Sequence, residues 1–325
     1  MLPTYSIAIR TLGTSGDKLV RELNSITRQT IKPNKVIIYI AEGYKHPQYS
    51  IGIEQYIEVR KGMVAQRALD YKEIDSDYIL MLDDDVELAP NSVEILLNAI
   101  VVNNADCVAA DTFQNHKMSI KSKLYNIFVN ISIPFYSKKW AFKFSRIGTS
   151  SYNNNPKQKF YLSQSAAGPA ALWKKDSFLA MNYHDELWID KLGFAYGDDA
   201  VLFNKLYKNG KKLGVLYNSN VKHLDGKSSS ATYHSNLKKF YIRSFASFII
   251  WYRTCYNLNS TSVLKKTYTL FLFIIKSTWL FPINIIASFK FKSFKVTKFY
   301  ILGILDGIKY VHSDEYKKIP NYILK

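Results

Sequence analysis

Short apolar runs alternate with segments of helical period along the first 115 residues. Tyr5 to Ile9 and Lys35 to Ile40 are apolar runs of strand length. Between them, apolar residues at helical spacing predict a helix over Asp17 to Thr30, and Pro33 blocks its continuation. The same patterning predicts strands at 55–59 and 78–82 and helices at 62–71 and about 90–102. Such alternation predicts an α/β fold whose sheet is mostly parallel and binds ligands at the carboxyl ends of its strands.

The pattern is less regular after residue 115. Residues 115–160 are basic, aromatic and rich in Asn and Ser, and we interpret them as a long, mobile insertion. The following residues predict a close-packed strand at 165–173, a loop at 183–197, a helix at 198–209 and a strand at 213–217. The predicted α/β region therefore extends over residues 1–235.

Residues 236–325 predict a basic, amphipathic helical tail. The chain has a net charge of +18, and 15 basic against 3 acidic residues place +12 of it in this tail. The apolar stretch from Tyr268 to Phe289 contains Lys276 near its centre and is predicted to be interrupted at Pro282. A lysine at the bilayer midplane costs about 2.5–3.5 kcal/mol, and the apolar run on either side of it is too short to span.

These features predict that the tail lies in the membrane interface, since lysines and phenylalanines alternate directly after the apolar stretch. A re-entrant or spanning hairpin and ordinary core helices are the alternatives. The aliphatic content favours a membrane partner over nucleic acid, which the charge alone would also suit. The two cysteines, Cys107 and Cys255, form no CxxC pair, and the N-terminus has no signal-peptide pattern, so we expect a cytosolic location.

Three consecutive aspartates are the strongest candidate for chemistry. Asp83, Asp84 and Asp85 follow the apolar run YILML, so they stand at the end of a predicted strand. Their mutual repulsion is relieved by a hard divalent cation shared with a diphosphate. The alternative is a solvated acidic turn.

Two further polar positions are weaker candidates. Asp198 and Asp199 open a predicted helix, where one is expected to cap the helix and the other to act as a general base. His223 follows a predicted strand, where it is a metal ligand or a structural histidine.

An ordered set of motifs resembles a known family. The set comprises Thr11, SITRQT at 25–30, Pro33, KVIIYI at 35–40, Gly62, Arg67, YILMLDDD at 78–85, Pro90, GPAALWKK at 168–175, DE at 185–186, GDDAVL at 197–202 and His223. From about Tyr5 to Gly226 the chain resembles a family-2 glycosyltransferase. The resemblance implies a GT-A fold, which is a Rossmann-like, nucleotide-binding mixed sheet flanked by helices, here followed by a membrane-associating helical region.

The resemblance implies roles for the acidic residues. Asp83 and Asp85 match the outer positions of the family's DxD motif, which binds a divalent metal, Mn²⁺ or Mg²⁺, and the nucleotide-sugar diphosphate. Asp84 would contact the ribose or the sugar, and His223 matches an additional metal ligand of some members. Asp199 matches the usual catalytic base, with Asp198, in place of the customary Glu, as the second choice.

The resemblance also implies nucleotide-sugar contacts for four other residues. Glu42 falls where the family often has a base-contacting Asp, although AEGY replaces the usual DDGS here. Arg67 matches a position that often approaches the nucleotide, and Thr11 lies near it at a strand end. The strand at Gly168 forms a floor for sugar or acceptor, or is simply close-packed.

The resemblance implies an inverting, metal-dependent enzyme that moves a sugar from a nucleoside-diphosphate sugar to a saccharide hydroxyl. YIR at 241–243 and LGILDG at 302–307 resemble the helical tail of bacterial members that glycosylate lipid-linked acceptors. We therefore expect cell-surface polysaccharide synthesis at the cytoplasmic face of the membrane, with no nucleic-acid partner. A nucleotidyltransferase, whose phosphate loop TLGTSG at 11–16 matches only in part, and a non-catalytic basic binding protein are the alternatives.

Overall fold

A computed structural model of the chain describes residues 3–112, 119–133, 135–153, 155–224, 236–258 and 262–323. Asp225 and Gly226, which close the stretch that resembles the family, lie outside the described residues, as does the predicted boundary at residue 235.

Twelve strands are present among the described residues. Numbered along the chain, they are β1 (Tyr5–Thr11), β2 (Val36–Ala41), β3 (Glu54–Val59), β4 (Tyr78–Asp83), β5 (Val86–Leu88), β6 (Cys107–Ala110), β7 (Phe142–Phe144), β8 (Ser150–Tyr152), β9 (Phe160–Leu162), β10 (Ala170–Lys174), β11 (Leu213–Leu216) and β12 (Val221–His223). Eight of them form one sheet in the order β3-β2-β1-β4-β10-β6-β11-β9. The first four are parallel, whereas β10 runs antiparallel to both of its neighbours. The sheet is therefore mixed, as the resemblance implies.

Helices cover both faces of this sheet. They are α1 (Asp17–Thr27), α2 (Ser92–Val102), α3 (Ile120–Phe128), α4 (Lys175–Ala180), α5 (Asp198–Lys208), α6 (Lys238–Trp251), α7 (Val263–Lys290), α8 (Lys295–Val311) and α9 (Asp314–Lys317). A 3₁₀ segment, Tyr183–Leu192, precedes α5, and a π-helical turn, Tyr252–Tyr256, follows α6.

The alternation of side chains along the strands divides the core into two layers. Ile7 and Ile9 of β1 pack with Leu19 and Leu23 of α1 on one face of the sheet. Ala8 belongs to the layer on the other face.

The tail helices complete that second layer. Phe248 and Trp251 of α6, Phe273 of α7 and Tyr310 of α8 lie in the same buried cluster as β-sheet residues such as Trp173. The tail therefore shares a hydrophobic core with the preceding α/β region. Helix α8 packs closely on α6 because Gly303 has no side chain, since a Cβ there would lie 2.5 Å from the Tyr241 carbonyl oxygen.

A buried ionic network also joins the two regions. Glu186 is fully buried and accepts two hydrogen bonds from the Arg253 guanidinium, at 2.7 and 2.8 Å. Lys205 of α5, also fully buried, donates to Glu186 at 2.9 Å and to Asp185 at 3.0 Å. Although burial opposes ionisation, Arg253 and Lys205 lower the pKa of Glu186. The Glu186 carboxylate thus pairs with one buried cation from residues 1–235, Lys205, and one from the tail, Arg253.

Three local predictions were wrong. Residues 62–71 form successive turns and no helix, because the Asp190 carboxylate accepts hydrogen bonds from the amides of Val64 and Ala65. Within 115–160, described residues form α3 and the β7–β8 hairpin, so the segment is more regular than the insertion we expected. The predicted loop after Tyr183 begins with a 3₁₀ segment.

Helix α7 runs without a break through Pro282, so the predicted interruption is absent. It is the one helix among the described residues that is long and apolar enough to cross a membrane. Its buried positions are mostly polar, whereas apolar side chains such as Leu264, Phe271 and Ile275 are about half exposed or more. This distribution is the reverse of that of a helix in a soluble core.

We expect Glu186→Gln to destabilise the protein by about 3–5 kcal/mol, because Arg253 and Lys205 would remain buried without their carboxylate. Denaturant unfolding followed by circular dichroism measures this change. The control is Glu315→Gln, which removes an exposed ion pair with Lys191 and is expected to cost at most about 1 kcal/mol. Equal effects of the two variants would contradict the stabilising role of the buried network.

Candidate functional site

Arg67 is the centre of a cluster of carboxylates at the carboxyl edge of the sheet. Its guanidinium donates to Asp83 Oδ1 at 3.0 Å and to Asp199 Oδ1 at 2.6 Å, and it lies 3.3 Å from Asp198 Oδ2. It also donates to the Gly168 carbonyl oxygen at 3.0 Å. One buried arginine therefore joins the end of β4, the segment before β10 and the start of α5.

Arg10 is a second buried arginine in this cluster, and the sequence analysis missed it. Parallel pairing of β1 with β4 places Arg10 opposite Asp83, and its Nε donates to Asp83 Oδ1 at 2.6 Å. Although burial opposes ionisation, Arg10 and Arg67 lower the pKa of Asp83 to about 2. A charged residue in the otherwise uncharged strand YSIAIRT was the signal that could have identified Arg10.

Thr11 and Asp84 meet beside this cluster, where the Thr11 hydroxyl donates to Asp84 Oδ2. Burial raises the pKa of Asp84, and Asp83 and Asp85 add to the increase, while hydrogen bonds from Ser15 and Thr11 oppose it. The contact fixes the side chain of Asp84 against the end of β1.

Gly168 contacts Asp199 directly, and its amide donates to Asp199 Oδ2 at 2.9 Å. A Cβ at this position would lie 2.0 Å from Asp199 Oδ1 and 2.7 Å from Arg67 Nη2. The loop at Gly168 can therefore contact the Asp199 carboxylate only because residue 168 has no side chain. Close packing at Gly168 is therefore confirmed, and its role as a floor for the sugar or acceptor stays a prediction.

The two aspartates of α5 differ in exposure. The side chain of Asp199 is 35% exposed, whereas that of Asp198 is 11% exposed. Burial and the neighbouring carboxylate of Asp199 raise the pKa of Asp198 to about 7. Neither residue is the N-cap, since Gly197 occupies that position; the expectation that one of them caps the helix was wrong. As the first residues of α5, both still gain from the helix dipole.

Asp85 and His223 form a separate pair next to the arginine cluster. Antiparallel pairing of β12 with β5 brings them together, and His223 Nε2 lies 3.0 Å from Asp85 Oδ1. Asp83, by contrast, is held by the two arginines. No group of three or more His, Cys, Asp or Glu side chains in the described part of the chain is arranged to hold a metal ion.

The chemistry of these side chains nevertheless fits a divalent cation. A carboxylate oxygen and an imidazole nitrogen are suitable ligands for Mn²⁺. Two protein ligands are enough when substrate diphosphate oxygens complete the coordination. Asp85 and His223 are therefore the pair that could hold such an ion together with a diphosphate.

Glu42 is the predicted site residue that stands apart. It follows β2, its side chain is exposed, and no hydrogen bond or ion pair among the described residues joins it to the carboxylate cluster. Asp190, which the sequence analysis did not select, contributes indirectly. Its carboxylate holds the turn at Val64 and Ala65 that leads into Arg67.

Known proteins resemble the chain in part of its sequence and in its fold. Residues 40–157 match the family model "Glycosyl transferase family 2". No curated protein matches the chain. Among solved structures, the S. aureus TarS fragment 1-349 is similar both in complex with UDP-GlcNAc (13% identity, TM-score 0.53) and in complex with UDP (12% identity, TM-score 0.55). Each alignment covers 95% of this chain and 81% of TarS.

A third structure, GalNAc-T7 with UDP, GalNAc and Mn²⁺, is 15% identical with a TM-score of 0.46, and the alignment covers 68% of this chain and 43% of GalNAc-T7. The TarS structures share the fold of this chain, a mixed α/β sheet flanked by helices, over nearly its whole length. Together with the sequence match, this fold favours a glycosyltransferase over the nucleotidyltransferase and the non-catalytic binding protein. The family match over residues 40–157 and the shared fold both support a family-2 glycosyltransferase with a GT-A fold.

Proposed function

We propose that the chain is an inverting, metal-dependent enzyme that transfers a sugar from a nucleoside-diphosphate sugar to a hydroxyl of a lipid-linked saccharide in cell-surface polysaccharide synthesis. The observation that carries this proposal is that Asp83, Asp199 and the Gly168 carbonyl oxygen all accept hydrogen bonds from Arg67. Residues that are 16 to 132 positions apart in sequence form one site at the sheet edge where α/β proteins bind ligands.

Asp199 is the proposed general base. It is more exposed than Asp198, and hydrogen bonds from Arg67 and Gly168 orient its two oxygens. These bonds hold the carboxylate at a fixed position beside the end of β4, where the donor diphosphate would lie. A fixed, partly exposed carboxylate can accept the acceptor's proton without reorganising.

The reaction is a single displacement. The acceptor oxygen forms a bond to the anomeric carbon of the sugar, and the bond from that carbon to the diphosphate oxygen breaks. The hydroxyl proton passes to Asp199, and the nucleoside diphosphate leaves with the bonding electrons. Attack from the side opposite the leaving group inverts the configuration at the anomeric carbon.

Negative charge builds up on the diphosphate as it leaves, and nearby positive charge stabilises it. Asp85 and His223 would hold the divalent ion, Mn²⁺ or Mg²⁺, with Asp83 as a further candidate ligand, and the ion would neutralise the charge of the leaving group. Arg10 and Arg67 add two fixed cations at the same edge. Thr11, Asp84 and Glu42 remain proposed donor contacts, with Thr11 fixing the orientation of Asp84.

The exposed apolar side of α7 supports attachment to the membrane surface. Lys290, Lys292, Lys295 and Lys298 follow directly and are exposed. Apolar side chains next to lysines suit an interface with anionic lipids. We propose that the enzyme works there, at the cytoplasmic face, on a saccharide carried by a lipid.

Asp199→Asn is expected to lower kcat by about 10²–10⁴-fold with little change in donor binding, because the asparagine keeps the shape but accepts no proton. A panel of nucleotide sugars with Mn²⁺ or Mg²⁺, scored by release of nucleoside diphosphate, measures this change. Asp85→Ala is expected to raise the metal concentration needed for half-maximal rate. The matched control is Asp77→Asn, an exposed carboxylate just before β4, at its other end. Full activity of Asp199→Asn would refute the proposed base.

In the metal-free protein, Asp198 is expected to make folding less favourable as pH rises. With a pKa of about 7 when folded, it binds its proton more tightly than in the unfolded chain, where the pKa is near 3.9. The folded state holds more protons between about pH 4 and 7, so the free energy of unfolding falls across this range. Asp198→Asn should remove up to about 4 kcal/mol of that fall. Urea unfolding at several pH values tests this, and identical pH profiles for the two proteins would contradict it.

Membrane attachment is expected to depend on the exposed side of α7. Phe271→Asp combined with Ile275→Asp should abolish flotation with anionic liposomes, since both side chains are about half exposed and one helical turn apart. The control is Val102→Asp, at an apolar position at the end of α2 that is 82% exposed. Unchanged flotation of the double variant would exclude α7 as the attachment surface.

A further inference from the structure

A cavity of about 540 Å³ lies among the tail helices and has no assigned role. Its walls include apolar side chains of α6, α7 and α8, such as Phe240, Leu280 and Ile304. This volume lies in the range of small-molecule sites, which are about 300–1,000 Å³. The cavity is therefore large enough for an organic ligand.

The charged side chains that line the cavity are all positive. Lys239, Arg243, Lys276 and Lys290 line it, and none of the described lining residues is acidic. Arg243 donates to the neutral oxygens of Val129 (3.1 Å) and Asn130 (2.8 Å). A cluster of cations between apolar walls fits an anion that carries an apolar chain.

Lys276 shows the electrostatic environment most directly. Its side chain is 7% exposed, and its Nζ donates to the Ile147 carbonyl oxygen at 3.0 Å. Burial and the nearby charge of Arg243 lower the pKa of Lys276 to about 8. An anion between the two cations would offset both effects, because it replaces lost solvation and screens their repulsion.

The cavity opens towards the apolar surface of the tail. Ile286 and Phe291 line it while remaining 67% and 39% exposed. Phe289, on the same part of α7, is 67% exposed. A hydrocarbon chain can therefore continue from the cavity along the surface that we propose lies on the membrane.

The cavity also extends to the loop before the proposed base. Tyr196 lines it, three residues before Asp199, and the Arg243 guanidinium lies 5.8 Å from the Tyr196 ring centre. A group attached to a phosphate between Arg243 and Lys276 would thus start next to the loop that leads into α5.

We propose that this cavity binds the lipid phosphate that carries the acceptor saccharide, with the phosphate between Lys276 and Arg243 and the hydrocarbon chain leaving past Ile286. The identification of this lipid as the acceptor rests on the proposed function. The phosphate site itself rests on the cavity alone. The apolar walls distinguish this ligand from a nucleic-acid backbone, which would bring no hydrocarbon to them.

Dodecyl phosphate, titrated calorimetrically below its critical micelle concentration, tests the site. It should bind the full chain, whereas inorganic phosphate and the neutral amphiphile dodecyl maltoside should bind at least about tenfold more weakly. Loss of one charge-assisted hydrogen bond in Lys276→Met should weaken dodecyl phosphate binding by about 10- to 100-fold. Equal binding of dodecyl maltoside, or of inorganic phosphate, would overturn the proposal.

Two further variants complete the test, one as a control and one at a second lining residue. Lys298→Met removes the same charge from an exposed position of α8 outside the cavity and should change affinity less than about twofold. Lys239→Met tests a second lining residue, so the proposal stays open to test if Lys276→Met fails to fold. Equal losses in Lys298→Met and Lys239→Met would show general charge attraction and refute the site.

Asp199→Asn separates this proposal from the proposed function. It should bind dodecyl phosphate like the unaltered chain, because Asp199 does not line the cavity. If dodecyl phosphate binds as expected but sugar transfer to lipid-phosphate saccharides is absent, the lipid is not the acceptor and the phosphate site stands. If binding fails while transfer to soluble saccharides occurs, the cavity proposal fails and the proposed transfer chemistry stands.

Discussion

Two buried arginines allow four carboxylates to lie at one edge of the sheet. Asp83, Asp198 and Asp199 are brought together although like charges repel, because Arg67 contacts all three and Arg10 contacts Asp83. Asp84 is the fourth, and it is bonded by Thr11. In a buried setting this pairing is worth more than it would be in water, and it also fixes geometry. The end of β4, the loop at Gly168 and the start of α5 depend on it for their mutual position.

The sequence predicted the parts of this arrangement that are local. Apolar runs placed β1, β2 and β4, and the aspartate pair marked the start of α5. The motif order identified the aspartates, Arg67 and Gly168. Arg10 was missed because a single charge within a strand does not reveal which residue it will pair with. Its role follows only from the pairing of β1 with β4. The segment at 62–71 failed as a helix for the same kind of reason, since its turn is fixed by Asp190, which lies about 125 residues further along the chain.

The tail was predicted as a separate basic unit, and its packing could not be foreseen. Glu186 and Arg253 are 67 residues apart, and neither is distinguished from a solvated charge by its neighbours in sequence. Pro282 suggested a break in α7, yet the helix continues through it. A proline inside a helix removes one hydrogen bond and costs about 3 kcal/mol. Packing along a 28-residue helix can offset this cost. The exposed apolar side of α7 was the one feature of the tail that its composition already indicated.

The contact of Tyr322 with α5 affects the order in which the molecule can be completed during synthesis. The Tyr322 hydroxyl donates to the Val201 carbonyl oxygen, 121 residues earlier, and its ring lies in the main core. The helix that begins with Asp198 and Asp199 therefore lacks part of its buried surface until residue 322 has left the ribosome. While α6 to α8 emerge, their apolar surfaces are exposed to the same surroundings. With α7 as the proposed attachment surface, a newly made chain could reach the membrane before the sheet edge at Asp198 and Asp199 is fully packed.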